Sequence, residues 1–277
     1  MTITNNQFDK AETFRALHAR PIPFVIANPW DIGSAKMLTT IGYDALATTS
    51  AGFAYSIGKT DGTRSVTRDE ALENARAIAD ATHLPVSVDL ENGYGDSPAT
   101  CAETILLAAK TGIVGGSIED ATGRTKDPIY DFDVAVARVR AAVEAARTLP
   151  FYFTVTARAE NFLHGRFDLD DSIARLQAFA AAGADVLFAP GVTTREEIRE
   201  IVQSVAPFPV NVLCGLSGPA LSVNELAKLG VRRISVGSSL ARAAFKSFYS
   251  AATEIKQKGT FYYVSDAMTY KEMNLLF

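Results

Sequence analysis

Three acidic residues and one arginine carry the first chemical signal in this chain. Asp89 and Glu91 lie two positions apart in Val88-Asp89-Leu90-Glu91-Asn92-Gly93-Tyr94-Gly95. On extended backbone that spacing turns both side chains the same way. Glu119 closes a second apolar run, and Arg158 follows a third, Phe153-Thr154-Val155-Thr156-Ala157. Carboxylates converging from adjacent strand ends repel one another unless a cation joins them. All-oxygen ligands favour a hard ion, Mg²⁺ or Mn²⁺, over zinc, and an ion with few direct carboxylates keeps several waters. The competing reading is that these acids cap helices or pair with Arg or Lys across a rim. Arg158 has the fork geometry to bind a substrate carboxylate, or equally to pair with a neighbouring acid. Gly93 and Gly95 flank Tyr94 as in a tight loop that lets backbone approach closely.

Other reactive residues are sparse. His18 lies on the N-terminal segment, His83 precedes a strand, and His164 sits in the loop after Arg158. Cys101 falls inside a helical stretch, while Cys214 ends a strand and could approach a site; a buried free cysteine ordinarily behaves as a small hydrophobe. No nucleophile elbow, P-loop or zinc motif is present.

The elements that must position these groups alternate along the whole chain. Strands are expected at 23–28, 45–50, 85–89, 114–119, 151–157, 185–189, 209–213 and 233–236, each followed by an amphipathic stretch. Asp31 to Gly42 reads as a helix stopped by its glycine, Thr67 to Glu70 as a capping box, and Ser97-Pro98 as a helix start. About eight strand–helix pairs of roughly 30 residues predict a single (β/α)₈ TIM barrel over 1–277, an α/β fold. Residues 1–20 form a helical lead-in, and 238–277 the last barrel helix and a C-terminal extension. An open doubly wound sheet is the rival, but no G-x-G-x-x-G follows the first strand. In a barrel the carboxyl ends of the strands form the active face. That puts Ser50, Asp89, Glu119, Arg158 and Asn211 at one mouth.

Composition narrows the function classes. The 277 residues are 48% apolar and 21% charged, with 27 Lys and Arg against 31 Asp and Glu, a formal charge of −4. Without a basic excess or basic run, nucleic-acid binding is not expected. Apolar runs are too short to span a bilayer, and the polar 1–10 segment is unlike a signal peptide. Two cysteines do not make a disulfide framework, so a cytoplasmic location is expected.

These motifs together resemble the phosphoenolpyruvate mutase/isocitrate lyase superfamily, in order, from Pro23 through Phe277. Asp89 to Gly95 resembles its D-x-[DE]-x-G-[YF]-G, Ser117 to Asp120 its x-x-E-D, and Ala157 to Glu160 its A-R-x-[ED]. Thr49-Ser50-Ala51-Gly52 is similar to its substrate loop, with Ala51 in place of glycine, and Asp61 falls where the family has a further aspartate near the metal. The resemblance implies Mg²⁺ (or Mn²⁺) held by Asp89, with Asp61, Glu91 and Glu119 direct or through water. It implies a small carboxylic acid bound by Ser50, Ala51, Gly52, Asp61, Arg158 and Asn211. Glu119 and Arg158 would serve catalysis, by metal-assisted stabilisation of a pyruvate-type enolate. It also implies a homo-oligomer, a dimer of dimers exchanging the last barrel helix; a tail folded on its own barrel is the alternative.

The departures narrow the reaction. Isocitrate and methylisocitrate lyases carry K-[KR]-C-G-H after E-D, whereas this chain has Ala121 to Pro128 with neither cysteine nor histidine. Their strand-six glutamate stands here as Pro190, and the mutase's lysine and asparagine after E-D are missing. The expectation is a C–C lyase of a small 2-keto or 2-hydroxy acid. Mutase or hydrolase chemistry on phosphonopyruvate is the alternative within the family, and a non-catalytic metabolite-binding barrel the one outside it. Arg124 and Lys126 are candidates to replace the missing loop residues. The proton donor is left open among Tyr94, Arg124, Lys126, Glu160 and Cys214.

Overall fold

The computed structural model describes residues 5–216 and 218–277. Eight parallel strands run β1 (Phe24–Ile26), β2 (Leu46–Ala47), β3 (Val86–Asp89), β4 (Gly115–Glu119), β5 (Thr154–Arg158), β6 (Val186–Phe188), β7 (Val210–Leu213) and β8 (Arg233–Ser235). Each strand pairs with its sequence neighbour, β8 returns to pair with β1, and a bridge between Ala27 and Leu46 joins β1 to β2. The sheet thus closes into the expected (β/α)₈ barrel, with helices between strands. Closure removes the sheet edges, and the strands bury both faces. Val86, Val88, Ile118, Val155, Val186 and Leu187 are accordingly almost wholly inaccessible.

Local chemistry sets most boundaries where the sequence placed them. Asp31 caps the helix Ile32–Ile41, and Gly42 ends it in the left-handed region at φ 98°. Thr67 and Glu70 form the reciprocal capping box of the helix Arg68–Asp80, and Ser97 with Pro98 opens Pro98–Ala109. One element differs from expectation. The second strand stops at Ala47, and Ser50–Ser56 is a helix capped by the Thr49 hydroxyl. The apolar run 45–50 hid that change, because its last residues are the cap and first turn of the helix.

The helical lead-in is Asn5–Ala19, whose Phe14 and Leu17 join the core beneath the barrel; residues 1–4 lie outside the described residues. At the other end, the helix Ser239–Lys258 buries only Ala241. The segment after it turns back on that helix, Glu254 accepting from the Thr260 hydroxyl at 2.6 Å and from the Tyr262 amide at 2.7 Å. Phe248, Tyr249, Tyr262, Tyr270 and Leu275 stay open to solvent on this surface.

Candidate active site

The carboxyl ends of the strands surround two adjoining cavities that share Ser50, Asp61, Arg158 and Leu163. The inner one, about 230 Å³, reaches into the barrel past Asn28, Thr48, Ala51, Ser87, Asp89, Ser117, Asn211, Arg233 and Ser235. The outer one, about 210 Å³, is bounded by Glu91, Glu119, Glu160, Gly123 and His164.

Arg158, the last residue of β5, lies at the centre. Its Nη1 donates to Asp89 Oδ1 at 3.0 Å, and its Nη2 approaches Glu119 Oε2 at 3.2 Å and Glu160 Oε1 at 2.8 Å. Burial alone would lower its pKa, but Glu160, Glu119 and Asp89 together hold the guanidinium charged, well above its ordinary value. Its charge is therefore more than neutralised, and negative charge is left over. Burial, then Asp89 and Asp61, push the Glu91 carboxyl up to about 7. Burial raises Glu119 well above the carboxylate range, with Arg158 opposing and the neighbouring acids adding to the rise. A cation is the group that would relieve this surplus.

Asp89 and Glu91 do not share one wall. β3 ends at Asp89, and Glu91 adopts a left-handed φ of 47°, so the alternation of an extended chain stops before it. Asp89 faces the inner cavity and Glu91 the outer. Asp89 itself is well held: its amide donates to Thr48 Oγ1 at 2.9 Å, and Oδ1 receives the Glu91 amide and Ser117 hydroxyl besides Arg158. Among the described residues Oδ2 meets only the Ser50 amide, at a long 3.4 Å, leaving that oxygen for a ligand.

Opposite Asp89 stands the first turn of the helix Ser50–Ser56, where the Ser50 amide is held only by its long bond to Asp89 and the Gly52 amide by the Thr49 cap. Ser50 and Ala51 line the inner cavity. Gly52 serves differently: its amide is taken by the Thr49 cap at 3.2 Å, and a β-carbon there would lie 3.2 Å from Trp30 and Ala241. Asp61 is on an exposed loop but reaches both cavities. Asn211 is buried in the inner one, bonded to Ser235 and Arg233.

Arg124 and Lys126 are not brought into this group. Both are exposed and line neither cavity; Arg124 bonds both Asp96 oxygens at 3.1 Å and lies over the Tyr130 ring. Cys214 does not line the cavities either, whereas Glu160 grips Arg158. Tyr94 is held protonated, its pKa raised well above the ordinary value by burial and then Glu91. His164, in the loop after Arg158, is exposed and edges the outer cavity. No sequence signal marks Arg138, which is buried and donates to the Gly95 carbonyl at 2.7 Å and to those of Asn92 and Asp96. The loop 92–96 is wrapped around that guanidinium.

Among the described residues no three Asp, Glu, His or Cys side chains form a ready-made metal cage. The donors present are nonetheless all oxygen, excess in charge and partly unengaged. That suits a hard cation taking one or two carboxylates and completing its shell with water, not a zinc ion.

Known proteins match this arrangement over nearly the full chain. The family model described as phosphoenolpyruvate phosphomutase matches residues 14–256. A Burkholderia cenocepacia J2315 protein provisionally described as a lyase/mutase superposes with a TM-score of 0.95 at 55% identity, covering 98% of this chain and 96% of its own. The structure of 2,3-dimethylmalate lyase, a PEP mutase/isocitrate lyase superfamily member, gives a TM-score of 0.86 at 30% identity, covering 96% and 94%. The 2-methylisocitrate lyase of Salmonella typhimurium LT2 is 32% identical, covering 93% of this chain and 88% of the relative. The barrel and its motif order therefore place this chain in the phosphoenolpyruvate phosphomutase family, within the PEP mutase/isocitrate lyase superfamily.

Proposed function

We propose that this protein is a Mg²⁺-dependent lyase that breaks a C–C bond in a small 2-keto or 2-hydroxy acid: a 2-keto diacid leaves a pyruvate-type enolate, whereas a 2-hydroxy acid gives up its hydroxyl proton and leaves a 2-keto acid together with the enolate of the departing carboxylic acid. The charge layout of the mouth carries this reading: one half-buried arginine ringed by three acids, with a helix N-terminal turn across the same cavity. Asp89 is the residue to hold the ion (Mn²⁺ being the substitute), with Asp61, Glu91 and Glu119 acting directly or through water. When bound, the ion supplies Lewis-acid polarisation of the substrate's keto and carboxylate oxygens.

The chain's own residues do the rest. The Ser50 and Ala51 amides and the Ser50 hydroxyl receive the carboxylate, and Asn211 takes an oxygen from the other side. Arg158 aims its charge where negative charge grows as the bond breaks. Glu119 and Glu160 fix the plane of that guanidinium. Leu163 and Phe188, apolar members of the inner wall, limit water at the departing carbon. Arg124 and Lys126 take no part in bond breaking; their loop covers the outer cavity through Ala121 and Gly123.

Cleavage of C–C rather than P–C bonds is supported by the similarity to 2,3-dimethylmalate and 2-methylisocitrate lyases. An inner cavity of about 230 Å³ and the uncharged Pro190 suit a dicarboxylate better than a tricarboxylate. Self-association belongs to the same reading: a second copy covers the apolar surface of Ser239–Lys258, as expected for an exchanged last helix.

Thermal melts with increasing MgCl₂ test the site. Saturating Mg²⁺ at about a hundred times its Kd is expected to stabilise the protein by roughly 3 kcal/mol. Asp89→Asn is expected to lose that gain while still folding. An equal gain in both proteins contradicts the assignment.

A further inference from the structure

Among the described residues, Arg233 is the one arginine in the inner cavity wall that no carboxylate answers. It opens β8, is 5% exposed, and lines the cavity beneath Asp89 and Arg158. Its three partners are all neutral: Asn211 Oδ1 accepts from Nε at 2.9 Å, Thr156 Oγ1 from Nη2 at 3.0 Å, and His18 Nε2 lies 3.4 Å from Nη1. His18 Nδ1 faces the Phe14 carbonyl at 2.8 Å, so that nitrogen carries the proton and Nε2 is the acceptor. Among the described residues no Asp or Glu forms an ion pair with Arg233, whereas Arg158 has three acids to itself.

The consequence falls on Asn211. With its oxygen held by Arg233, its amide nitrogen must point the other way, and it donates to Ser235 Oγ at 2.9 Å. Ser235 accepts that bond, which leaves its own hydroxyl hydrogen as the next donor of the chain, beside the cavity it lines. Arg233, Asn211 and Ser235 thus form a run of donors on one wall, backed by a desolvated positive charge. An arginine of this kind holds its partners in one orientation, because the reversed amide would set two donors face to face.

We propose that Arg233 is a positioning residue: it locks Asn211 and Ser235 as hydrogen-bond donors and supplies the buried counter-charge for a second anionic group of the substrate. The inference rests on the reading above and deepens it, since it selects a dianion, with two carboxylates, over a simple keto acid. One carboxylate lies at the Ser50 turn. The other is drawn to the Asn211–Ser235 wall.

The test is calorimetric titration of the full-length protein with oxalate, a small dianion, in saturating MgCl₂, alongside titration with Mg²⁺ alone. Arg233→Met removes charge and lock together and is expected to weaken oxalate about tenfold or more while leaving Mg²⁺ affinity undiminished. Arg233→Lys restores the charge without the Nε fork and is expected to recover part of the loss. Arg233→Gln covers the case in which the methionine variant fails to fold: it keeps a donor for Asn211 Oδ1 but removes the charge, and oxalate affinity is expected to fall in it as well. Wild-type affinity in whichever of these two neutral variants folds overturns the role of Arg233 and leaves the proposed function standing. Absence of Mg²⁺-dependent oxalate binding in the wild type overturns both.

Discussion

At the scale of single residues, the site is a problem of surplus negative charge, and Arg158 is its present solution. The guanidinium bridges Asp89, Glu119 and Glu160 from the end of one strand. A lysine can place a charge there but cannot hold three carboxylates in one plane. Arg158→Lys is therefore expected to keep the fold and lower kcat/KM by about 100-fold or more, the range for losing an oriented transition-state donor. Steady-state kinetics on the substrate with a circular-dichroism control would check it. An unchanged kcat/KM would mean that Arg158 is only a strut. Most of these residues were legible beforehand, because Asp89, Glu119 and Arg158 each close an apolar run and a barrel puts such ends at one mouth. Arg233 was not legible. Its meaning depends on Thr156, Asn211 and His18, whose positions along the chain carry no pattern.

At the scale of elements, caps were readable and buried cations were not. Asp31, Thr67 and Ser97 stand where short side chains bond free amides, and each does so. The helix Ser50–Ser56 escaped because Thr48-Thr49-Ser50 extends an apolar, strand-like run, and only the bond from the Gly52 amide to Thr49 identifies the cap. The loop carrying Glu91 depends on an arginine from another helix, Arg138 of Phe132–Arg147, which meets the carbonyls of Asn92, Gly95 and Asp96 and lies 4.0 Å over the Tyr130 ring. Removing it strands three carbonyls, that of Asn92 on a buried residue. Arg138→Met is expected to destabilise the protein by about 3 kcal/mol and to expose 91–97 to limited proteolysis, as judged by urea melts and fragment mapping. A variant as stable and as protease-resistant as the wild type would show that the loop holds itself.

At the scale of the whole molecule, the closed barrel leaves two features with measurable consequences. The first is beneath it, where burial, and then the charge of Arg233, lower His18 to about 3 from an ordinary 6.5. The unfolded chain then binds a proton that the folded one refuses between those values, so stability is full above pH 6.5 and falls as pH drops toward 3. Urea midpoints should therefore fall more steeply with acid in the wild type than in His18→Gln; parallel curves would mean that His18 is charged in the fold. The second is the solvent-open helix Ser239–Lys258, with Phe248 73% and Tyr249 67% exposed. Light scattering should report a homo-oligomer that the pair Phe248→Glu and Tyr249→Glu shifts toward monomer. A monomeric wild type would mean that the tail, anchored at Glu254, is all the cover this helix has. No helix among the described residues is long and apolar enough to cross a membrane.

C–C cleavage that depends on Mg²⁺ and on the Asp89–Arg158 mouth is put to the test by turnover of a small panel. Oxaloacetate, alkylmalates, methylisocitrate and phosphonopyruvate would each be incubated with purified protein in MgCl₂ and in chelator, with 2-keto acid, glyoxylate and phosphate products all read out. A 2-keto acid should be released from a small diacid, in a reaction abolished by chelator and restored by Mg²⁺. Turnover that survives the chelator, or phosphate released from phosphonopyruvate with no diacid cleaved, would contradict it.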